Sequence, residues 1–186
     1  MIRNHIRCPL AQGNITARKG SCQDEDGDFL DRLARPLRGE MRAWYNEWLM
    51  RVRKALPEDI PQAVSLVKSL DLDYPGMEKD DLWVAEDERR IVGAVSLKKQ
   101  PDCLELCALG VEAAHRGRGV AKALVAALMA EAPGDIHLAT VIPGFFEKCG
   151  FEKAAVIPAT FPEKRRTAWC EGCDTRLCTV LVRKVS

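Results

Sequence analysis

Glu105 lies inside the apolar run CLELCALGV (Cys103 to Val111), and a few residues later RGRGVA (Arg116 to Ala121) leads into an alanine-rich stretch. A carboxylate on a largely apolar strand loses water, which disfavours its charged form and suits it to accept a proton near neutrality. The alternative for Glu105 is an outward-facing side chain on a half-exposed strand. In the second segment, Gly117 and Gly119 let the backbone turn tightly and present bare N–H groups. The first N–H groups of a helix have no internal partner and carry partial positive charge, so an anion completes such a turn. Arg116 and Arg118 add formal charge there. The competing reading is a plain turn with solvated arginines.

Two further groups near the C-terminus could do chemistry. Lys164, Arg165 and Arg166 form a basic cluster that could hold carboxylates by charge-assisted hydrogen bonds, or could simply be a solvated turn. Cys170, Cys173 and Cys178 have the spacing of most of a thiolate zinc site, with Cys149 or His137 as an outside fourth ligand. Buried free thiols or a redox-sensitive dithiol are the alternatives. His5 and His115 are expected on the tail and on a loop surface.

The elements that must position these residues follow an α/β pattern from Met50 onward. MRVRKAL is expected as a strand. PEDIPQAVSLVKSL is expected as a helix with Ile60, Val64, Val67 and Leu70 on one face and its prolines in the first turn. LWVAEDERRIVGAVSLKK is expected as a hairpin turning at Asp87 to Arg90, and Cys103 to Val111 as a long strand. Gly119 to Ala132 is expected as the longest helix, stopped by Pro133-Gly134. DIHLATV is expected as a strand and PGFFEKCG as a short helix that Gly150 ends in the left-handed conformation. FEKAAVI and CTVLVRKV complete the strands. Residues 1–49 differ in composition and are expected as an N-terminal extension, partly disordered or in short helices, with the folded domain spanning 50–186.

Composition narrows the function classes. With 28 basic and 27 acidic residues the formal charge is +1, which argues against bulk electrostatic binding to nucleic acid or membrane. No apolar run is long enough to span a bilayer and no secretory signal is visible. Eight cysteines without an export signal point to a reduced, cytoplasmic protein. A Rossmann dinucleotide site is set aside, because Lys122 stands where the third glycine of the fingerprint would be.

The string Arg116-Gly117-Arg118-Gly119-Val120-Ala121 fits Arg/Gln-x-x-Gly-x-Gly/Ala, and FFEKCGF (Phe145 to Phe151) is similar to a later FYEKxGF signature. Both resemble motifs of the GCN5-related N-acetyltransferase (GNAT) family, in the family's order, and the resemblance covers residues 50 to 185. It implies an α/β (α+β) GNAT fold, a single domain with a mixed, mostly antiparallel central sheet flanked by helices and splayed at its middle. It implies acetyl-CoA as cosubstrate. The pantetheine arm would pair with backbone groups at Leu109, Gly110 and Val111, and the pyrophosphate would sit on Arg116, Gly117, Arg118, Gly119, Val120 and Ala121. It also supports Glu105 as general base, acting directly or through water. Where many family members carry a tyrosine, this chain has Phe146, so a tyrosine general acid is excluded there. Tyr74 is a speculative substitute.

The set LELCALGV, HRGRGVA, FFEKCGFEKA and FPEKRRTAWCEGCDTRLC resembles most the acetyltransferase domain of short N-acetylglutamate synthase-like proteins. That resemblance implies transfer to the amino group of a small amino acid, with L-glutamate leading and Lys164 and Arg165 holding its carboxylates. A full synthase's amino-acid-kinase-like domain is not expected. The alternatives are an acceptor that is a protein N-terminus, a lysine side chain or a polyamine, or a non-catalytic CoA-binding regulatory module. The expected partner is a small-molecule amine, without nucleic acid or membrane. A homodimer and a structural zinc are left open.

Overall fold

The computed structural model describes residues 50–167, 170 and 176–185. The expected extension over residues 1–49 lies outside them. Seven strands form one sheet in the order β1-β2-β3-β4-β5-β7-β6. They are β1 (Arg51–Lys54), β2 (Asp81–Asp87), β3 (Arg90–Lys99), β4 (Leu104–Val111), β5 (Ile136–Thr140), β6 (Glu152–Lys153) and β7 (Thr179–Arg183). Among the described residues four α-helices accompany them: α1 (Ile60–Ser69), α2 (Val120–Glu131), α3 (Pro143–Glu147) and α4 (Thr160–Lys164).

Strands β1 to β4 pair antiparallel, as do β5, β7 and β6. The two halves meet at β4 and β5, which run parallel and are paired only at Leu104↔Ile136 and Glu105↔His137. Beyond Glu105 the strands part, and Leu106 to Val111 has no partner on its β5 side among the described residues.

Alternation along the strands builds two apolar faces. Trp83 and Ala85 of β2, Val95 and Leu97 of β3 and Leu138 of β5 pack with Val120, Leu124, Val125 and Leu128 of α2. Phe146 of α3 and Phe151 join the same core. Leu82 and Val84 of β2 turn the other way, onto Ala63 and Val67 of α1. The buried face of α1 therefore runs through Ile60, Ala63 and Val67 rather than the expected Ile60, Val64, Val67 and Leu70. On that second face the far half of the sheet is covered by α4, whose Phe161 packs with Ala154, Val180 and Val182.

β4 carries a bulge. Ala94 pairs with Gly110 and Ser96 with Cys107, so Val95 faces two residues, Ala108 and Leu109. Ala108 takes a positive φ of 52°, which costs an alanine about 1 kcal/mol or more. The extra residue puts both Cys107 and Ala108 on the α1 face. Two residues on, Gly110 is closely approached: a Cβ there would lie 2.9 Å from Leu70 Cδ1, just past the end of α1, and the leucine would have to shift.

Several elements differ from expectation. FEKAAVI gives only the two-residue β6, and Val156 and Ile157 are left exposed. The helix α4 appears where no periodicity predicted one. Gly150 ends the segment after α3 with φ 84°, as its position implied.

Candidate active site

The parting of β4 and β5 opens a cleft of about 600 Å³. Its floor is β4 from Glu105 to Val111. One wall is the loop after α1, including Asp71, Asp73 and Tyr74; the other is α4 with Lys164 and Arg165. Arg116 and Ala121 line the end nearest α2.

At that end, Gly117 and Gly119 have φ of 75° and 77°, and nothing lies within 4 Å of the space a Cβ would take at either. Backbone conformation, not crowding, therefore calls for glycine. Gly119 is the N-cap of α2 and has no side-chain capping bond. Intrahelical bonding begins with Ala123 N–H donating to Gly119 O, at 2.9 Å. Arg116 Nε donates to Val111 O at 2.9 Å, which ties the loop to the end of β4. Arg118 is exposed, while the Val120 side chain is buried in the core, so only its backbone is available to a ligand. Open space, unpaired helix N–H groups and the free edge of β4 fit an extended, diphosphate-bearing ligand such as acetyl-CoA.

His115 is not the surface residue expected from its loop. Its Nε2 lies 3.0 Å from Asp87 Oδ2 and its Nδ1 lies 3.0 Å from Glu112 Oε2. The contact with Asp87 fastens the turn before the glycine loop to the β2–β3 hairpin.

At the opposite end of the cleft, Glu105 is only 2% exposed. Lys164 Nζ donates to its Oε1 at 2.5 Å, and Gln100 Nε2 donates to its Oε2 at 2.7 Å. The sequence suggested partial burial and a carboxylate open to substrate; the side chain is instead almost fully enclosed and ion-paired. Lys164, expected to hold an acceptor carboxylate, is here the ion-pair partner of Glu105. The Lys164 side chain keeps 20% exposure, so the pair touches the cleft through the lysine.

Tyr74 also faces this cleft, but its hydroxyl is engaged. It donates to Asp80 Oδ2 at 2.7 Å and lies 2.7 Å from Ser96 Oγ. Burial pushes its pKa well above the ordinary tyrosine range, so the hydroxyl keeps its proton. Phe146 is 5% exposed and packs edge-on against Phe145 and Phe151.

Of the three cysteines proposed for zinc, Cys170 and Cys178 line the cleft and Cys173 lies outside the described residues. Burial raises the Cys170 thiol, helped by the neighbouring Cys178. His137, suggested as a fourth ligand, lies on β5 beside Phe161, ring centroids 6.4 Å apart. Among the described residues no group of three or more His, Cys, Asp or Glu is arranged to hold a metal ion. The described cysteines are free thiols, Cys107 buried and Cys103, Cys149, Cys170 and Cys178 partly exposed, and no step is assigned to zinc.

The structure thus brings Glu105, Leu109, Gly110, Val111, Arg116 and Ala121 into one cleft, with Lys164 and Arg165 beside them. Gly117, Arg118 and Gly119 stand at its outer end, on the approach to α2. Three residues of the site escaped the sequence reading: Gln100, Asp102 and Ala108. Neither the contacts of Gln100 and Asp102 nor the bulge at Ala108 had a local signature.

Residues 78–153 match the family model described as Acetyltransferase (GNAT) domain. A search of curated proteins finds no match. Among solved structures, N-acetylglutamate synthase from Neisseria gonorrhoeae, complexed with coenzyme A and N-acetyl-glutamate, superposes with a TM-score of 0.60 at 20% identity. The match covers 74% of this chain and 35% of that one, so the chain spans about a third of the synthase. Arabidopsis thaliana Naa50, in complex with the bisubstrate analogue CoA-Ac-MVNAL, gives 0.54 at 19% identity, covering 73% of this chain and 99% of that one. Rv2747 from Mycobacterium tuberculosis, in a complex containing CoA, gives 0.52 at 20%, with 73% and 99% covered. At such identities the likeness is one of fold. Together with the family match over residues 78–153 and the motifs at 116–121 and 145–151, it shows that this chain has the fold of the GNAT acetyltransferases.

Proposed function

We propose that this domain transfers the acetyl group of acetyl-CoA to the α-amino group of a small acidic amino acid, with L-glutamate as the leading acceptor. The observation that carries the reading is the placement of Lys164, the last residue of α4, and Arg165, its C-cap, in the same cleft as Glu105 and Arg116. A dicarboxylate gains charge-assisted hydrogen bonds there that a cationic acceptor would turn into repulsion.

Bound acetyl-CoA supplies an activated carbonyl: the amine nitrogen forms a C–N bond as the C–S bond breaks, and the thiolate leaves. The chain's own residues do the rest. The N–H groups at the start of α2, with Arg116, take the diphosphate. The unpaired edge of β4 aligns the pantetheine arm. Lys164 and Arg165 orient the acceptor, and this proximity supplies much of the rate. Glu105 accepts the ammonium proton, directly or through one water, once the acceptor carboxylate shares Lys164 with it. With Phe146 at the usual tyrosine position, the leaving thiolate takes its proton from water or departs unprotonated.

A second reading has one observation in its favour. Asp71 and Asp73 line the cleft from the loop after α1, and they would suit a lysine, a polyamine or a peptide N-terminus. Mass spectrometry of products from a mixed amine panel separates the two. N-acetylglutamate in excess over acetyl-lysine, acetylspermidine and acetyl-peptide supports the first reading; acetylspermidine or acetyl-peptide without N-acetylglutamate overturns it.

A further inference from the structure

We propose that Asp102 is a positioning residue of the acceptor site: from the turn between β3 and β4 it fixes the N-terminus of α4, and through α4 it sets Lys164 against Glu105. This rests on the reading that Lys164 meets the acceptor.

Helix α4 is five residues long, too short to be stable by its own hydrogen bonds. Its N-cap is Ala159, which has no side-chain oxygen to offer. The first N–H groups of the helix therefore need an outside acceptor. Asp102 is that acceptor, 58 residues earlier in the chain. Thr160 N–H donates to its Oδ2 at 3.2 Å and Thr160 Oγ1 donates to its Oδ1 at 2.5 Å. These donors hold the Asp102 carboxyl below the usual range, the Thr160 hydroxyl foremost.

Lys164 follows Thr160 by one helical turn, so it projects from the same side of α4, on the order of 6 Å along the axis. Phe161, 3% exposed, sets how deeply the helix sits. A single ring among aliphatic side chains leaves a short helix free to pivot; the Asp102 contacts remove that freedom. The same turn also holds the other member of the ion pair. Gln100 Nε2 donates to Glu105 Oε2, and Gln100 N–H donates to Cys103 O at 2.9 Å, closing the turn. Both ends of the Lys164–Glu105 contact are thus referenced to residues 100–102.

The test uses the full chain and two readouts. In steady-state kinetics with the acceptor that product analysis identifies, Asp102→Ala should raise the acceptor KM about tenfold, the loss of one charge-assisted hydrogen bond, with the acetyl-CoA KM unchanged. Thr160→Val should raise it less, and Asp102→Asn should restore part of the loss. In a Lys164→Ala background, Asp102→Ala should change the acceptor KM no further, because the residue acts through Lys164. The second readout needs no turnover: the rate at which succinimidyl acetate labels Lys164, followed by peptide mass spectrometry, should rise in Asp102→Ala as the amine leaves Glu105. Equal effects of Asp102→Ala with and without Lys164, or unchanged labelling of Lys164, would overturn the proposal. If the acceptor proves not to be glutamate, the acceptor reading fails while the same comparisons on the true acceptor still decide the role of Asp102.

Discussion

Glu105 and Lys164 stand 59 residues apart in sequence and meet at 2.5 Å, one from the middle strand of the sheet and one from a five-residue helix. Breaking a buried pair from one side leaves an uncompensated charge, which costs far more than the pair contributes. Lys164→Met should therefore destabilise the domain by about 3 kcal/mol. Glu105→Gln/Lys164→Met should recover most of that loss. Denaturant unfolding of the two single variants and the double variant measures it; additive losses would show that the residues do not interact.

The carboxylate's chemical role has a separate signature. Glu105→Gln should lower kcat about a hundredfold while leaving acetyl-CoA affinity intact, and the loss should shrink at high pH, where free amine is plentiful. Wild-type turnover at neutral pH would make Glu105 a structural residue.

Gly119, at φ 77°, begins α2. Gly119→Ala should cost about 1–2 kcal/mol of stability through backbone strain alone, because no neighbour occupies the Cβ position. Gly119→Asp adds like charge where the diphosphate is expected and should abolish acetyl-CoA binding in calorimetry while the fold survives. Unchanged affinity in that variant would remove residues 116–121 from the cofactor site.

Burial holds the His137 imidazole below its ordinary value of 6.5, against the opposing pull of Asp135 and Asp102. The unfolded chain then takes up the proton first, so folding stability falls as pH drops below about 6.5 and levels off below the folded-state value. His137→Gln should remove this part of the slope. Thermal unfolding from about pH 8 to pH 5 tests it, and an identical slope in the variant would place the proton uptake elsewhere.

Much of the fold was legible because its signals are local. The apolar run at 103–111 had to be a strand. The alanine-rich stretch after Gly119 had to be a helix, and the residue spacing at 116–121 gave the loop its meaning. What stayed hidden depends on contacts between distant segments. FPEK carries no helical periodicity, and α4 exists because Phe161 finds an apolar socket and Asp102 caps Thr160. Ala108 gives no sign of its positive φ, so the bulge in β4 could not be read. AAVI looks like strand, yet β6 pairs with β7 only over Glu152 and Lys153. Glu105 was legible as a special carboxylate but not as a paired one, since its partner comes from a helix the sequence did not announce.

The two-position junction between β4 and β5 makes the sheet a pair of panels sharing one short seam. Any ligand that bridges the open edges acts as a second seam, and the coupling between panels then depends on its concentration. At about a hundredfold excess over its dissociation constant such a ligand adds on the order of 2.7 kcal/mol to folding stability. Amide hydrogen exchange in β5 and β7 should slow with that gain, so that the rigidity of the C-terminal panel becomes a gauge of cofactor supply.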